Sequence, residues 1–429
     1  MNISERGQAF LQGLRDLAER RAWEWRRCPR CGDTLTHKHG SYRRRPWFLT
    51  GRQVVRVQRH WCHRCRQTYS EQSALLVRGS WYAREVHRCA VDHWQHVETS
   101  VRRTAVVLRS WLGWQERWCL WRPLDAPPPD RERCTLSAST VQRWLNRAGE
   151  QARQTVVGHL EGVPTSGQLT TDGLWARLRG GTTRVVLLLV DSVSGVVGPP
   201  VVATGEEAAH QWQRLFIRAG VAGLAMGEVW GVTSDGATGL AGYLRARLSW
   251  VLHQRCVFHL WRNLAGELAR QTAAAAAGRT QEAARAVRRQ VRRELVALVH
   301  AVLDAPSEAA ARAALEPLAA HPRGRGLAAA LRPDVAAAHV CHRPFTRQLA
   351  RVSPEWCWRD FRLGLGHGRN HGSVARLERA ALRWAIYRNF TPAQERRERK
   401  RHYRSAGVSP LARAGVPPGA VSYLDALAI

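Results

Sequence analysis

The sequence predicts an α+β multidomain chain, and three observations carry that prediction. Two closely spaced cysteine pairs near the front mark a small module of the kind a metal ion folds. After Gly162 the patterning switches from helical spacing to alternating and fully apolar runs, the mark of strands. From about Leu264 to Ala338 the chain turns rich in Ala and Arg at helical spacing. The expected organisation is a ribbon with an N-terminal helix over 1–75, a helical segment over 80–155, and an α/β core built from 163–265 and 340–392. An all-helical insertion over 266–339 interrupts that core, and a tail over 393–429 is basic, then Pro/Gly-rich.

Charge narrows the class of partner. The chain has 429 residues, with 66 Lys plus Arg against 34 Asp plus Glu, for a formal net charge of +32. Such a surface attracts polyanions, and double-stranded DNA is the expected partner. Lys38 and Lys400 are the only lysines; every other basic side chain counted is Arg, which suits bidentate contact with phosphate and guanine. Codon bias explains the choice of Arg over Lys equally well, but not the shortage of acids. The opening "MNISERGQAF" lacks an apolar stretch, so no signal peptide is expected. The run Val185–Val190 is far too short to span a bilayer. The expectation is a soluble, cytoplasmic, nucleoid-associated protein without a membrane partner.

The front module follows from its cysteines. "CPRCG" supplies Cys28 and Cys31, and "CHRC" supplies Cys62 and Cys65. Two C-x2-C knuckles offer four thiolates, the donor set of tetrahedral structural zinc, with no position left open for substrate. Pro29 and Gly32 suit the tight turn that aims backbone N–H groups at sulfur. Between the knuckles the residues alternate around a turn near Gly51, a hairpin pattern. The result is a zinc ribbon whose strands carry Arg43, Arg44, Arg45, Arg52, Arg56 and Arg59, with Arg56 a candidate DNA contact.

The next segment reads as helical. "ETSVRRTAVVLRSWLG" has Thr99 or Ser100 as its N-cap and stops at Gly113; "LSASTVQRWLNRAGEQA" has Ser137 or Ser139 as its cap. Val141, Trp144, Leu145 and Ala148 share one face of the second helix, which also carries Arg143 and Arg147. The pair resembles a helix-turn-helix whose second helix reads DNA, although the link through Pro127–Pro129 is long. A plain helical spacer is the alternative. Trp111, Trp114, Trp118, Trp121 and Trp144 are expected in the core rather than stacked on bases.

The core carries the chemistry. A strand around Asp172, two more meeting near Asp191–Gly195, a helix with Thr204 and Glu207 as capping box, a buried strand ending at Asp235, a helix, and a last strand and helix give the order β-β-β-α-β-α-β-α. That is the order of a ribonuclease-H-like fold, in which the first and fourth strands are neighbours. Asp172 and Asp235 would then face one another, an arrangement of two carboxylates that a cation stabilises. Oxygen ligands suit Mg²⁺, with Mn²⁺ as a substitute, and a pair of such ions serves phosphoryl transfer. Asp191 is a lesser candidate, better read as a hairpin-turn residue.

"TTDGLWARLR", "VTSDGATGL" and "QRCVFHLWRNL" together resemble the DDE-class insertion-sequence transposases, particularly those with an N-terminal zinc ribbon. The resemblance implies that Asp172 and Asp235 are the first two catalytic acids, and that Cys256 and His259 are a marker packed beneath the active site rather than half of a second zinc site. It also implies a third acid on a late helix. In "GRNHGSVARLERAALRW" one register puts Ala375 at that place and another puts Glu378 there; Glu378 is the candidate. The activity implied is metal-dependent cleavage at transposon ends and strand transfer into target DNA, by a homodimer or larger assembly. The alternative is a transposase-derived DNA-binding protein that has lost catalysis.

Overall fold

The computed structural model describes residues 27–71, 75–97, 99–112, 134–158, 160–204, 207–346, 349–352, 357, 361–362, 371–392, 407–418 and 421–427. The expected N-terminal helix, Trp114, Trp118, Trp121, Pro127–Pro129 and the basic run over 393–406 lie outside these residues. The chain divides into two compact units: 1–163 with 177–182 and 360–429, and 164–176 with 183–359.

The first unit opens with strands β1 (Thr36–Arg44), β2 (Trp47–Phe48), β3 (Gly51–Arg52), β4 (Val55–Cys62) and β5 (Gln67–Ser70). β1, β4 and β5 form an antiparallel sheet, and β2 and β3 a small hairpin above it. The β1–β4 register slips between Lys38 and Ser41, at a bulge where Gly40 takes a φ of 72°. Helices α1 (Arg84–Val97), α2 (Val101–Trp111) and α3 (Ala138–Thr155) follow. Ser100 and Ser137, of the alternatives the sequence left open, are the N-caps, each accepting the backbone N–H three residues on. Val141, Trp144, Leu145 and Ala148 are buried as the spacing of α3 requires, and Arg143 and Arg147 are exposed on its other side. Trp111 departs from expectation: it is 46% exposed, near the end of a helix that buries Thr104, Ala105 and Leu108 instead.

The second unit carries β6 (Gln168–Arg177), β7 (Thr183–Asp191), β8 (Val201–Ala203), α4 (Ala209–Val221), β9 (Gly231–Ser234), α5 (Thr238–Arg247), β10 (Leu252–Arg255) and α6 (Val257–Ala275). The sheet order is β10-β9-β6-β7-β8, with β9 parallel to both β6 and β10 and β8 antiparallel to β7. β7, inside the sheet between β6 and β8, is buried from Val185 to Asp191, which is why its sequence is a continuous apolar run rather than an alternating one. Beyond α6 come α7 (Gln281–Leu303), α8 (Glu308–Ala320) and α9 (Arg325–Leu331). Leu264, Leu295, Val299, Leu315, Leu318 and Leu327 form the core these helices share with α6. The chain then returns to the sheet edge, where the Gln254 side chain donates to Ala338 O (2.6 Å) and accepts from Cys341 N (2.9 Å).

The late helix α10 (Val374–Phe390) belongs to the first unit, whereas the sequence reading grouped 340–392 with the core. The physical reason is its packing on α3. Gly149 leaves no room between the helices, since a Cβ there would lie 2.6 Å from Arg379 Cβ. The guanidinium of the buried Arg383 donates to Leu145 O at 2.9 Å and lies 4.6 Å from the Trp94 ring centroid; burial lowers its pKa to about 10.

Candidate active site and metal centre

The four N-terminal cysteines converge. Their sulfurs all lie within 4.8 Å of one another, with Cys28–Cys65 at 3.8 Å and Cys31–Cys62 at 3.6 Å. Four sulfurs bound to one zinc at about 2.3 Å stand roughly 3.8 Å apart, so the cage has the size a tetrahedral ion needs. Local backbone explains the geometry. Gly32 N–H donates to Cys28 O (2.8 Å) at a φ of 72°, and Arg66 N–H donates to Cys62 O (2.9 Å) at a φ of 54°. The two knuckles thus make the same left-handed turn, the second without the glycine that usually permits it. Hydrogen bonding with the neighbouring Cys31 sulfur, with burial, pushes the Cys65 thiol up to about 12. The module can hold a structural metal such as zinc. Arg56 is exposed on β4, with its Nε donating to Ser41 Oγ at 2.7 Å.

In the second unit, strand register determines where the two aspartates lie. β6 and β9 pair Gln168 with Gly231, Leu169 with Val232 and Thr170 with Thr233. The same offset carries Asp172 to the level of Asp235, one residue past the end of β9. Neighbouring strands stand about 4.8 Å apart, so the two backbones bring these carboxylates to one end of the sheet. One oxygen of each is held by local backbone: Gly173 N–H donates to Asp172 Oδ1 (2.8 Å), and Ala237 N–H to Asp235 Oδ1 (3.0 Å). Asp172 is buried, and Asp235 half-buried.

Cys256 and His259 lie beneath this pair. Cys256 is fully buried at the N-cap of α6, and its N–H donates to Ser234 O (2.7 Å), beside Asp235. One turn on, His259 Nε2 comes within 3.6 Å of Asp172 Oδ2. Burial, with Arg262 adding to it, lowers the His259 pKa to about 4, so this contact is not an ion pair at neutral pH. Among the described residues, the four N-terminal cysteines are the one group of three or more potential ligands close enough for a single ion; Cys256 and His259 build no second one.

Asp191 is structural in its bonding. Oδ1 accepts from Val193 N–H, Ser194 N–H and Ser194 Oγ, and Oδ2 from Ser166 N–H, Ser166 Oγ and Thr165 Oγ1. Six donors fill its acceptor sites and tie the β7 turn to the start of β6.

Sequence reasoning missed Glu207. The capping box expected of Thr204 and Glu207 does not form; the N-cap of α4 is Ala208, with no side-chain bond. The Glu207 carboxylate instead lies over Gly173, and its main chain rests against Gly239 in the first turn of α5; a Cβ on either glycine would collide with it. Burial, with the charge of Asp235 adding to it, raises its pKa to about 7. Its Oε2 is buried without a protein hydrogen-bond partner. The signal was there to read. In a chain with 34 acids against 66 basic residues, "GEEAAHQW" sets two acids before an apolar helical face. Glu378 lies half-buried on α10 of the first unit, one turn after the exposed Ala375.

Residues 191–325 match the family model described as transposase, Mutator family. The match supports a transposase. It takes in Asp235, Cys256 and His259 together with most of the helical insertion, and ends short of Glu378. Asp172 and the four-cysteine cage precede it. No curated protein matches the chain. Among the described residues, no helix is long and apolar enough to cross a membrane.

Proposed function

We propose that the protein is a DNA transposase that cuts transposon ends and joins them to target DNA through metal-dependent phosphoryl transfer. One observation carries this reading: two aspartates level with one another at adjacent parallel strands, the second inside the segment that matches the Mutator-family transposases. The sheet order, a three-stranded meander followed by parallel strands on the far side of β6, supports a ribonuclease-H-like core of the DDE class. The donor chemistry suits Mg²⁺ or Mn²⁺, and a bound ion would have to draw the three carboxylates together: Asp172 and Asp235 each have one oxygen bonded to backbone, and Glu207 brings a buried oxygen that no protein group bonds. Bound there, the ion would supply an activated hydroxyl and neutralise the leaving oxygen. His259, neutral by burial, orients Asp172 from below, and Cys256 fixes the start of its helix against β9. The four-cysteine cage would hold structural zinc, and the ribbon and α3, through Arg56, Arg143 and Arg147, would contact DNA. A homodimer or larger assembly on DNA, acting in the cytoplasm at the nucleoid, follows from the need to bring two ends together.

Two acids compete for the third ligand position: Glu378 on the resemblance, and Glu207 on its place against Gly173 and the charge of Asp235 acting on it. A strand-transfer assay with Mg²⁺ or Mn²⁺ on wild type, Asp235→Asn, Glu207→Gln and Glu378→Gln separates them. Asp235→Asn is expected to lose at least about a hundredfold in rate, the scale of removing one electrostatic contact to the transition state. The acid that completes the site falls with it. Retained transfer in Asp235→Asn would remove the aspartate pair from the mechanism. Absence of transfer in the wild type, with DNA binding intact, would favour the non-catalytic transposase-derived protein.

A further inference from the structure

The turn that carries Asp235 is built from the end of β9. Ser234, the last residue of that strand, is fully buried. Its Oγ accepts from Gly236 N–H at 3.1 Å, and the next peptide N–H, that of Ala237, donates to Asp235 Oδ1 at 3.0 Å. The serine hydroxyl thus folds the backbone around Asp235, and the carboxylate closes the following step. A hydroxyl has one proton and two lone pairs, and it rotates unless a second partner fixes it. His253 is that partner, with Nε2 2.7 Å from Ser234 Oγ. If Nε2 is unprotonated, the hydroxyl donates to it; if Nε2 is protonated, the ring donates and the hydroxyl accepts. Either way one lone pair of Oγ is left for Gly236 N–H.

Strand register brings the two side chains together. β9 and β10 run parallel, with His253 opposite Val232 and Arg255 opposite Ser234. Alternation then sets Val232, Ser234, His253 and Arg255 on one face of the sheet. Backbone pairing already joins the strands from Leu252 to Arg255, and Cys256 N–H adds a bond to Ser234 O. The side-chain bond is therefore not needed to hold β10 in place. Nor does close packing lock the imidazole. His253 is half-buried and lines an open cavity of about 410 Å³ with Leu244, Leu248, Val251, Leu252 and Val340. The bond to Ser234 positions the ring, and the ring in return gives the hydroxyl a single orientation.

We propose that His253 is a positioning residue of the active site, fixing the Asp235 carboxylate through Ser234 Oγ and the Gly236 peptide. The inference rests on the reading of Asp235 as a ligand of the catalytic ion and deepens it. Groups that orient a metal ligand without touching the metal typically change affinity or rate by about 10–100-fold when removed.

The test compares full-length wild type, His253→Leu, His253→Gln and Ser234→Ala. It reads strand-transfer rate at saturating DNA, Mn²⁺ affinity from the paramagnetic resonance signal of the free ion, and thermal midpoint. His253→Leu keeps bulk and loses the bond. It is expected to slow transfer and to weaken Mn²⁺ binding, each by about tenfold or more, at a midpoint near that of wild type. His253→Gln should recover most of both, because its amide reaches as far as Nε2 and can either donate or accept. Ser234→Ala should match His253→Leu, and the double variant should be no worse than either single one, since both act along one chain of bonds. His253→Leu with wild-type rate and Mn²⁺ affinity would overturn the assignment and leave the transposase reading standing. So would equal losses in His253→Leu and His253→Gln with a lowered midpoint, the mark of a residue that only supports the fold. Wild type that binds Mn²⁺ and DNA but makes no transfer product would count against the transposase reading instead, and the Mn²⁺ affinities of the variants would still decide the role of His253. No Mn²⁺ binding by wild type would overturn both.

Discussion

Gly236 stands between Asp235 and α5 with a φ of 83°, and a Cβ there would overlap the Arg255 guanidinium. Arg255 is itself anchored, its Nε 3.3 Å from Asp334 Oδ1 at the returning end of the helical insertion. The turn that aims Asp235 therefore depends on a residue without a side chain, and the insertion holds the arginine that covers it. Gly236→Ala is expected to destabilise the protein by about 1–3 kcal/mol, from the left-handed backbone alone. It should also reduce strand transfer by releasing Arg255. Gly242→Ala is the control: it lies within α5, a Cβ there meets nothing within 4 Å, and the change should be neutral or stabilising by about 0.5–1 kcal/mol. Denaturant melts of the two variants read the difference, and a Gly236→Ala midpoint equal to wild type would show that the turn does not need the glycine.

At the scale of elements, what the sequence made legible was whatever local physics dictates. The two knuckles, the caps at Ser100 and Ser137, the buried face of α3 and the adjacency of β6 and β9 all follow from spacing, capping or strand order. Two other features depend on partners distant in the chain. The return of α10 onto α3 turns on Gly149 and the buried Arg383, neither of which looks unusual in sequence. Glu207 read as a helix cap because its neighbours permit one, while its true neighbours, Gly173 and Asp235, sit more than two dozen residues away on either side. The ribbon gives this scale its prediction. Three short or irregular strand pairings and a few buried apolar residues (Phe48, Val57, Leu76 and Ala83) make a small core, so the metal should supply much of the module's stability. Purified protein is expected to carry one equivalent of zinc. Cys62→Ser, or a strong chelator, should remove it and unfold the ribbon. Protein isolated without zinc yet with an ordered ribbon would defeat the assignment.

Across the whole molecule the excess of +32 is spread over both units, which bears on how the protein meets DNA. Part of it is neutralised locally: in the insertion Arg270 pairs with Glu267, Arg312 with Glu308 and Arg332 with Glu316. Those pairs are solvated and add little to stability. On α7, by contrast, Arg285, Arg288, Arg289, Arg292 and Arg293 are all exposed along one helical stripe. A second patch, Arg143 and Arg147 on the exposed side of α3, lies in the other unit. If both patches meet phosphates, affinity should fall steeply with salt, since each phosphate neutralised adds about 0.9 to the slope of log K against log salt on a duplex. Replacing Arg288 and Arg292 by Ala should lower that slope by about 2, replacing Arg143 and Arg147 should do the same, and the four-fold variant should lose about 4 if the patches act independently. A slope unchanged by the α7 pair would make that stripe a solvated face and confine DNA contact to the rest of the protein. A four-fold variant that loses no more than either pair would mean that the two patches never engage one duplex at once.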